Sequence, residues 1–268
     1  MKDKEVKKQK IPANNIQKCA EGIYIVNRYG PVKCATWLLV HGKECAIVEM
    51  PEYEEKEDMP AKMVEAKINE MGLIPKYAIC SHHHLDHCQS IWDYRQTFPK
   101  TTFIAHKSFI DGYNNFIYLM QFVTGYRYLL LNKNYFEHIF EHDVYQCSLE
   151  NEPLIFIHSP KHCESDIMII FKGVMITSDW SIGYHPDCNN LVTPEQKIKS
   201  IDNLIKRLKD FNYKVHTLFS VHGNDFRHNI DFDKIMEETR KFALDESQRP
   251  SYTVNLMDNL LKDKPFSK

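Results

Sequence analysis

The chain is poor in glycine and has no long apolar run, and these shortages exclude several protein classes. Only 9 of its 268 residues are glycine, and no Gly/Ser-rich stretch suggests a linker between domains. No segment approaches the ~20 apolar residues that cross a bilayer, so no membrane association is expected. The lysine-rich segment 1–10 lacks the apolar centre of a secretory signal. The sequence therefore predicts a flexible polar tail at 1–14 and a single domain at 15–268.

The net charge and the cysteine spacing exclude further classes of protein. The net charge is only −2, which gives no electrostatic reason to expect nucleic acid as a partner. The 8 cysteines show no C-x-x-C spacing, and without an export signal they are expected to be reduced thiols. With 43% hydrophobic and 26% charged residues, the composition is that of a globular protein. A cytoplasmic location is the expectation.

Potential metal ligands are concentrated in one hexapeptide, His82-His83-His84-Leu85-Asp86-His87. It follows the apolar segment 77–80, which predicts a buried strand. Alternate side chains share a face along a strand, so His82 and His84 can bind one ion. Asp86 and His87 follow where the chain turns, and they can bind a second ion. An affinity tag would be terminal, whereas this run is internal, so a functional transition-metal site is favoured.

Together with three later motifs, the hexapeptide resembles the metallo-β-lactamase superfamily of metal-dependent hydrolases. The strand and loop at 154–162 resemble the segment that carries that family's third metal-binding histidine. The hairpin at 166–177 leads to Ser178-Asp179, similar to the family's bridging carboxylate. The strand at 217–221 leads to His222-Gly223, similar to its last ligand. The resemblance implies an α/β fold, a four-layer αββα sandwich with metals where strand ends converge.

The resemblance also implies two metal ions, expected to be zinc with iron as the alternative. It assigns to the first ion His82, His84 and His162. It assigns to the second ion Asp86, His87 and His222, and it makes Asp179 shared by both. The loops depart from the family pattern, for example at Lys161, where glycine is common. The bridging position carries Asp179 and not Cys, so nothing singles out a true β-lactamase.

The segment 107–151 separates two of these motifs and holds 11 of the chain's 32 aromatic residues. Its aromatic and Met residues recur at three- and four-residue spacing, which predicts helix. We therefore expect a helical, aromatic-rich insertion. It can form part of the outer layer, a homodimer contact, or a lid over the metals. In the lid interpretation Phe116 and Met120 contact an apolar part of the substrate.

The expected chemistry is hydrolysis of a small ester, thioester or lactone. Two neighbouring metals lower the pKa of a shared water toward ~7 and so supply hydroxide. Asp86 is predicted to bind metal and to relay the proton, as the catalytic carboxylate. Tyr184, on the loop after Asp179, is a candidate donor to the developing oxyanion. The alternatives are an iron-dependent, dioxygenase-like oxidoreductase on the same scaffold, and a metal-binding protein without turnover.

Overall fold

The computed structural model describes residues 16–124, 129–186 and 192–247. Within these ranges 13 strands and six α-helices stack as helices, sheet, sheet and helices. The predicted αββα sandwich is confirmed. The predicted polar tail at 1–14 lies outside the described residues.

The first sheet has seven strands that lie side by side in chain order. These are β1 (Gln17–Ala20), β2 (Ile23–Tyr29), β3 (Cys34–His41), β4 (Glu44–Val48), β5 (Ile74–Ile79), β6 (Thr102–His106) and β7 (His138–Phe140). The strands from β1 to β4 pair antiparallel, whereas those from β4 to β7 pair parallel. The carboxyl ends of β4 and β5 therefore meet at one edge, where the hexapeptide begins.

The second sheet has six strands in the order β13-β12-β11-β10-β9-β8. These are β8 (Val144–Leu149), β9 (Glu152–His158), β10 (Ile167–Phe171), β11 (Val174–Thr177), β12 (Thr217–Ser220) and β13 (Phe226–His228). Only β11 and β12 pair parallel, with Thr177 opposite Ser220. Because these two strands end side by side, Asp179 and His222 leave the sheet at the same edge.

Helices cover the outer face of each sheet. Their bounds are α1 (Pro60–Met71), α2 (Leu85–Cys88), α3 (Ile91–Thr97), α4 (Lys107–Thr124), α5 (Pro194–Asp210) and α6 (Phe232–Ser247). Helix α1 ends at Gly72, whose φ of 64° is left-handed, a conformation that glycine adopts at low cost at a helix end. Helix α5 begins with a capping box of Thr193 and Gln196. None of the helices in the described ranges has the length and apolar composition of a membrane span.

Three apolar cores hold the four layers together. The helices α1, α3 and α4 pack on the first sheet, and α5 and α6 pack on the second. The central core lies between the two sheets. There the fully buried Trp37 of β3 stacks on Phe219 of β12, with ring centroids 5.8 Å apart. This large buried contact fixes the two sheets against each other close to the edge where Asp179 and His222 emerge.

The helical prediction for 107–151 was wrong in its second half. Helix α4 ends at Thr124, and residues 125–128 lie outside the described ranges. Of the later aromatic residues, Phe140 lies in β7 and Tyr145 in β8. Strand β7 adds to the first sheet beside β6, and β8 adds to the second beside β9. Tyr145 stacks between Phe140 and Phe156, with ring centroids 5.5 and 6.1 Å away. Edge pairing with both sheets therefore decides the conformation here, and local residue spacing does not.

Candidate metal centre

All seven predicted ligands meet at the edge where strands of both sheets end. The first sheet delivers the hexapeptide from the end of β5, and the second delivers the other ligands from its strand ends. The side chains form two neighbouring donor groups, one of His82, His84 and His162 and one of Asp86, His87, Asp179 and His222. Within each group the ligand atoms lie within 4.8 Å of one another. The parallel pairs β4–β5 and β11–β12 create this convergence.

Three imidazole nitrogens form the first donor group. His84 Nδ1 lies 3.0 Å from His82 Nε2 and 3.0 Å from His162 Nε2. Nitrogens around a tetrahedral zinc, with Zn–N near 2.0–2.1 Å, are about 3.3 Å apart. Three lone pairs pointing to one place repel each other unless a cation or protons lie between them. The group is therefore compact enough for one zinc ion.

Two carboxylates and two imidazoles form the second group. His87 Nε2 lies 3.2 Å from Asp86 Oδ2 and 3.4 Å from Asp179 Oδ2. His222 Nε2 lies 3.2 Å from Asp179 Oδ1 and 3.7 Å from Asp86 Oδ2. This mixture of nitrogen and oxygen donors suits zinc or iron.

Asp179 stands between the two groups. Its Oδ2 is 3.8 Å from both His82 Nε2 and His162 Nε2 of the first group. The same oxygen is 3.4 Å from His87 Nε2 of the second. One carboxylate thus faces both groups, which is the position of a ligand shared by two ions.

The surroundings of His87 make its Nε2 a candidate metal-binding atom. Its ring is fully buried, and its Nε2 has no hydrogen-bond partner. Its other nitrogen, Nδ1, lies 3.1 Å from Glu49 Oε2 and donates to that carboxylate. A buried ring nitrogen that makes no hydrogen bond costs free energy unless a ligand satisfies it. A metal ion bound at Nε2 would satisfy it.

The backbone around His222 is anchored from the first sheet. Trp37 Nε1 donates to Val221 O (2.7 Å), and Arg28 Nη2 donates to Gly223 O (2.6 Å). His222 Nδ1 lies 3.1 Å from Val32 O and donates to it. The Nε2 atom, which faces the two carboxylates, is then the nitrogen with the lone pair. The loops thus point His222 Nε2 at the two carboxylates, where it could bind a metal.

The two groups differ in proton affinity. Burial, aided by the neighbouring histidines, lowers the pKa of His82 well below its usual value and that of His84 to about 4. Burial also acts to lower the pKa of His87, but the surrounding groups Cys34, Asp179 and Glu49 outweigh it and raise the pKa. Without metal, His82 and His84 are therefore neutral at neutral pH, whereas His87 holds its proton.

The carboxylates respond to the same histidines. Burial alone would raise the pKa of Asp179, but His87 and His222 outweigh it and hold that pKa well below its usual range. His222 in turn has a raised pKa, since its contact with Asp179 outweighs burial. Asp179 is thus ionised at neutral pH, as a metal ligand must be.

Sequence reasoning gave no role to Glu49. Its carboxylate is fully buried, accepts the Ser81 N–H at Oε1 (2.7 Å) and faces His87 at Oε2. Its backbone is in the left-handed region, with φ of 70°, a strained conformation for a residue other than glycine. The available signal was an acidic residue directly after the apolar strand β4, next to the strand that delivers the hexapeptide.

The predicted substrate residues lie in two places. Phe116 and Met120 are half-buried on α4, whose Gly112 is packed against His83. The hydroxyl of Tyr184 donates to Asp245 Oδ2 of α6 (2.6 Å), and its ring packs against Phe242. The structure therefore places Tyr184 against α6 and not among the metal ligands, because a carboxylate of that helix holds its hydroxyl.

Three side chains next to the ligands make other contacts. His83 points away from the first group, and its Nδ1 lies 2.7 Å from Ser165 Oγ. The buried Cys88 thiol donates to His84 O (3.2 Å). Cys163 Sγ lies 3.4 Å from Asp166 Oδ1. The seven cysteines within the described ranges, Cys163 among them, are all free thiols.

Comparison with known proteins identifies the fold. No family model and no curated protein matches the sequence, but solved structures do. The DIM-1 metallo-β-lactamase, in a crystal exposed to ceftazidime, superposes with a TM-score of 0.60 at 12% identity, covering 86% of this chain and 96% of that one. The FIM-1 metallo-β-lactamase from Pseudomonas aeruginosa, in its mono-zinc form, gives 0.57 at 14% identity, covering 88% and 96%.

A third structure, the BLEG-1 B3 metallo-β-lactamase, gives a TM-score of 0.55 at 15% identity, covering 82% of this chain and 99% of that one. The likeness extends over nearly the whole of each neighbour and over more than four fifths of this chain. The chain therefore has the metallo-β-lactamase fold.

Proposed function

We propose that the protein is a metal-dependent hydrolase that binds two zinc ions and acts on a small ester, thioester or lactone. The observation that carries the proposal is the pair of donor groups joined by Asp179, in a fold shared with metallo-β-lactamases. The buried, unpartnered His87 Nε2 supports a metal in the second group. Five imidazoles and two carboxylates, one of them the shared Asp179, are more donors than one ion requires.

Zinc bound at these groups supplies Lewis acidity and lowers the pKa of water, so that a nucleophile is available at neutral pH. Asp86 is the residue placed to accept the proton that water loses. Its side chain is 26% exposed, against 15% for Asp179, so it is the carboxylate nearer to solvent. Burial acts to raise its pKa, but His87 outweighs this and lowers it, so Asp86 Oδ2 is a proton acceptor at neutral pH.

Helix α4 supports a substrate with an apolar part. Gly112 of α4 lies so close to His83 that a Cβ atom there would stand 2.6 Å from Nδ1. Residues four, seven and eight positions later share the face of Gly112, and these are Phe116, Leu119 and Met120. This face therefore continues from the metal loop as an apolar surface. Leu119 is 52% exposed and available for contact.

The neighbouring face of α4 is also apolar and exposed. Phe122 is 88% exposed, and Tyr118 and Val123 are more than half exposed. Apolar side chains gathered at one exposed place usually mark a binding surface. We infer that this half of α4 contacts the apolar part of the substrate.

A substrate panel tests the proposed reaction. Protein purified without added metal is analysed for zinc and iron, and the same sample is assayed with thioesters, lactones, aryl esters, a phosphodiester and a β-lactam. Zinc with hydrolysis of a carbonyl substrate is the expected result. Iron with oxygen uptake would show the oxidoreductase alternative, and tightly bound metal without turnover would show a binding protein.

A double variant tests the role of α4. Phe116→Ala with Phe122→Ala should raise KM most for the most apolar substrates, with a smaller effect on kcat. The matched control is Phe211→Ala, which removes a 42% exposed aromatic ring at the end of α5 in the other outer layer. An equal change in KM for polar and apolar substrates would contradict the substrate contact.

A further inference from the structure

A buried carboxylate outside the ligand set lies behind the first donor group. Asp166 is fully buried at the start of the hairpin formed by β10 and β11. Its Oδ2 accepts three consecutive backbone N–H groups, those of Lys161 (2.9 Å), His162 (2.6 Å) and Cys163 (2.9 Å). One oxygen thus holds the loop that carries a metal ligand.

The other oxygen of Asp166 reaches a second ligand through a serine. Ser178 Oγ donates to Asp166 Oδ1 (2.8 Å), and the same Oγ lies 3.1 Å from His82 Nδ1. The Cys163 thiol is also 3.4 Å from Oδ1. A carboxylate can only accept, so Ser178 must give its single proton to Asp166. Its oxygen can then only accept from His82 Nδ1.

The direction of this chain of hydrogen bonds sets the tautomer of His82. With the proton on Nδ1, the Nε2 atom carries the lone pair, and Nε2 is the atom that faces His84 and Asp179. Ser81 Oγ also lies 3.0 Å from His82 Nδ1, but a hydroxyl can donate or accept. Only the connection through Ser178 is fixed in direction.

We infer that Asp166 is a positioning residue for the first metal site, acting on two ligands at once. It holds the backbone of His162 in place and, through Ser178, keeps the proton of His82 on the nitrogen that faces away from the metal. Hydrogen bonds to the outer nitrogen of a metal-bound histidine commonly change metal affinity 10–100-fold when removed. The inference rests on the metal site of the proposed function, but it does not depend on the substrate.

The isosteric variant Asp166→Asn tests this inference. Backbone N–H groups cannot reverse, so the amide oxygen stays with them and the amide NH₂ faces Ser178. Ser178 then accepts from the amide and donates to His82 Nδ1, which moves the histidine proton to Nε2. In metal-free protein, ¹H–¹⁵N NMR of the imidazoles should show this change of tautomer. Zinc titration should show about 10–100-fold weaker binding at the first site.

The matched control is Glu49→Gln, the equivalent change behind His87 of the second group. It should leave the His82 tautomer unchanged. The affinity of the first site for zinc should stay within a few-fold of the wild-type value. A folded Asp166→Asn protein with an unchanged tautomer and unchanged zinc binding would overturn the inference.

If Asp166→Asn does not fold, Ser178→Ala decides the question. This variant leaves the three backbone contacts of Asp166 in place and removes only the connection to His82. We expect both tautomers of His82 and weaker first-site zinc binding; a single Nδ1–H tautomer with wild-type affinity would reject the role of Asp166. Neither readout requires a substrate. If the protein hydrolyses none of the substrates in the panel, that result would therefore count against the proposed function alone.

Discussion

The exchange Glu49→Gln should weaken the second metal site while leaving the fold and the first site intact. Glu49 accepts from Ser81 N–H at one oxygen and from His87 Nδ1 at the other. In the variant, the amide oxygen must remain with the backbone N–H, and the amide NH₂ then faces His87 Nδ1. The single proton of a neutral His87 is then driven to Nε2, the atom that faces Asp86 and Asp179. A metal ion would have to displace it.

The expected size of this effect follows from the burial of the contact. Because Glu49 and His87 are both fully buried, water cannot replace the lost interaction, and the upper part of the usual range applies. A 10–100-fold loss of affinity corresponds to about 1.4–2.7 kcal/mol. Zinc titration of metal-free protein against a competing chelator measures both binding steps, and we expect only one of them to weaken.

A surface exchange provides the control for this experiment. Glu21→Gln changes a carboxylate whose side chain is 86% exposed and which pairs with Lys172. It should leave both steps unchanged. If Glu49→Gln gives a folded protein with two unaltered binding steps, then Glu49 does not orient His87. Equal weakening of both steps would show general disruption of the edge and would equally refute the argument.

Three other predictions concern the ligands themselves. Asp86→Ala should lower kcat by about 10²-fold or more, because it removes the proton acceptor, while circular dichroism shows an intact fold; full activity would reject this role. His162→Ala should reduce bound zinc from two ions to one per chain by metal analysis, and retention of two would show that it is not a ligand. Zinc binding at the second site should strengthen from about pH 6 to about pH 8. The reason is that the raised pKa values of His87 and His222 leave protons there for the metal to displace, whereas His84, with a pKa of about 4, is already neutral. Equal pH dependence of the two steps would contradict this assignment.

The ligands could be predicted because their information is local. The hexapeptide gives strand periodicity followed by a turn, and this alone separates His82 and His84 from Asp86 and His87. The order of the later motifs supplied the other ligands through the resemblance to a known family. The helix boundaries at Gly72 and at Thr193 were likewise predictable, since capping depends on a few neighbouring residues.

The residues behind the ligands could not be predicted in the same way. Glu49 meets His87 only because β4 and β5 lie parallel and end at one edge. Asp166 meets Ser178 because the hairpin of β10 and β11 folds back on itself. Neither contact corresponds to a periodic pattern in the sequence, because each depends on which strands become neighbours in the fold.

The conformation of the aromatic segment and the contacts of Tyr184 were also decided by tertiary structure. The spacing from Phe109 to Met120 predicted helix α4, but strands β7 and β8 depend on free sheet edges that exist only in the folded protein. The hydroxyl of Tyr184 is held by Asp245, which is 61 residues away.

By itself, then, the sequence determined which side chains can bind metal, because residue type and short-range periodicity encode this. Its resemblance to a known family implied which layers the chain forms. Only the tertiary structure decided which way each ligand presents its lone pair. That choice is made by buried hydrogen bonds between segments distant in sequence, where water is excluded and each donor must find an acceptor.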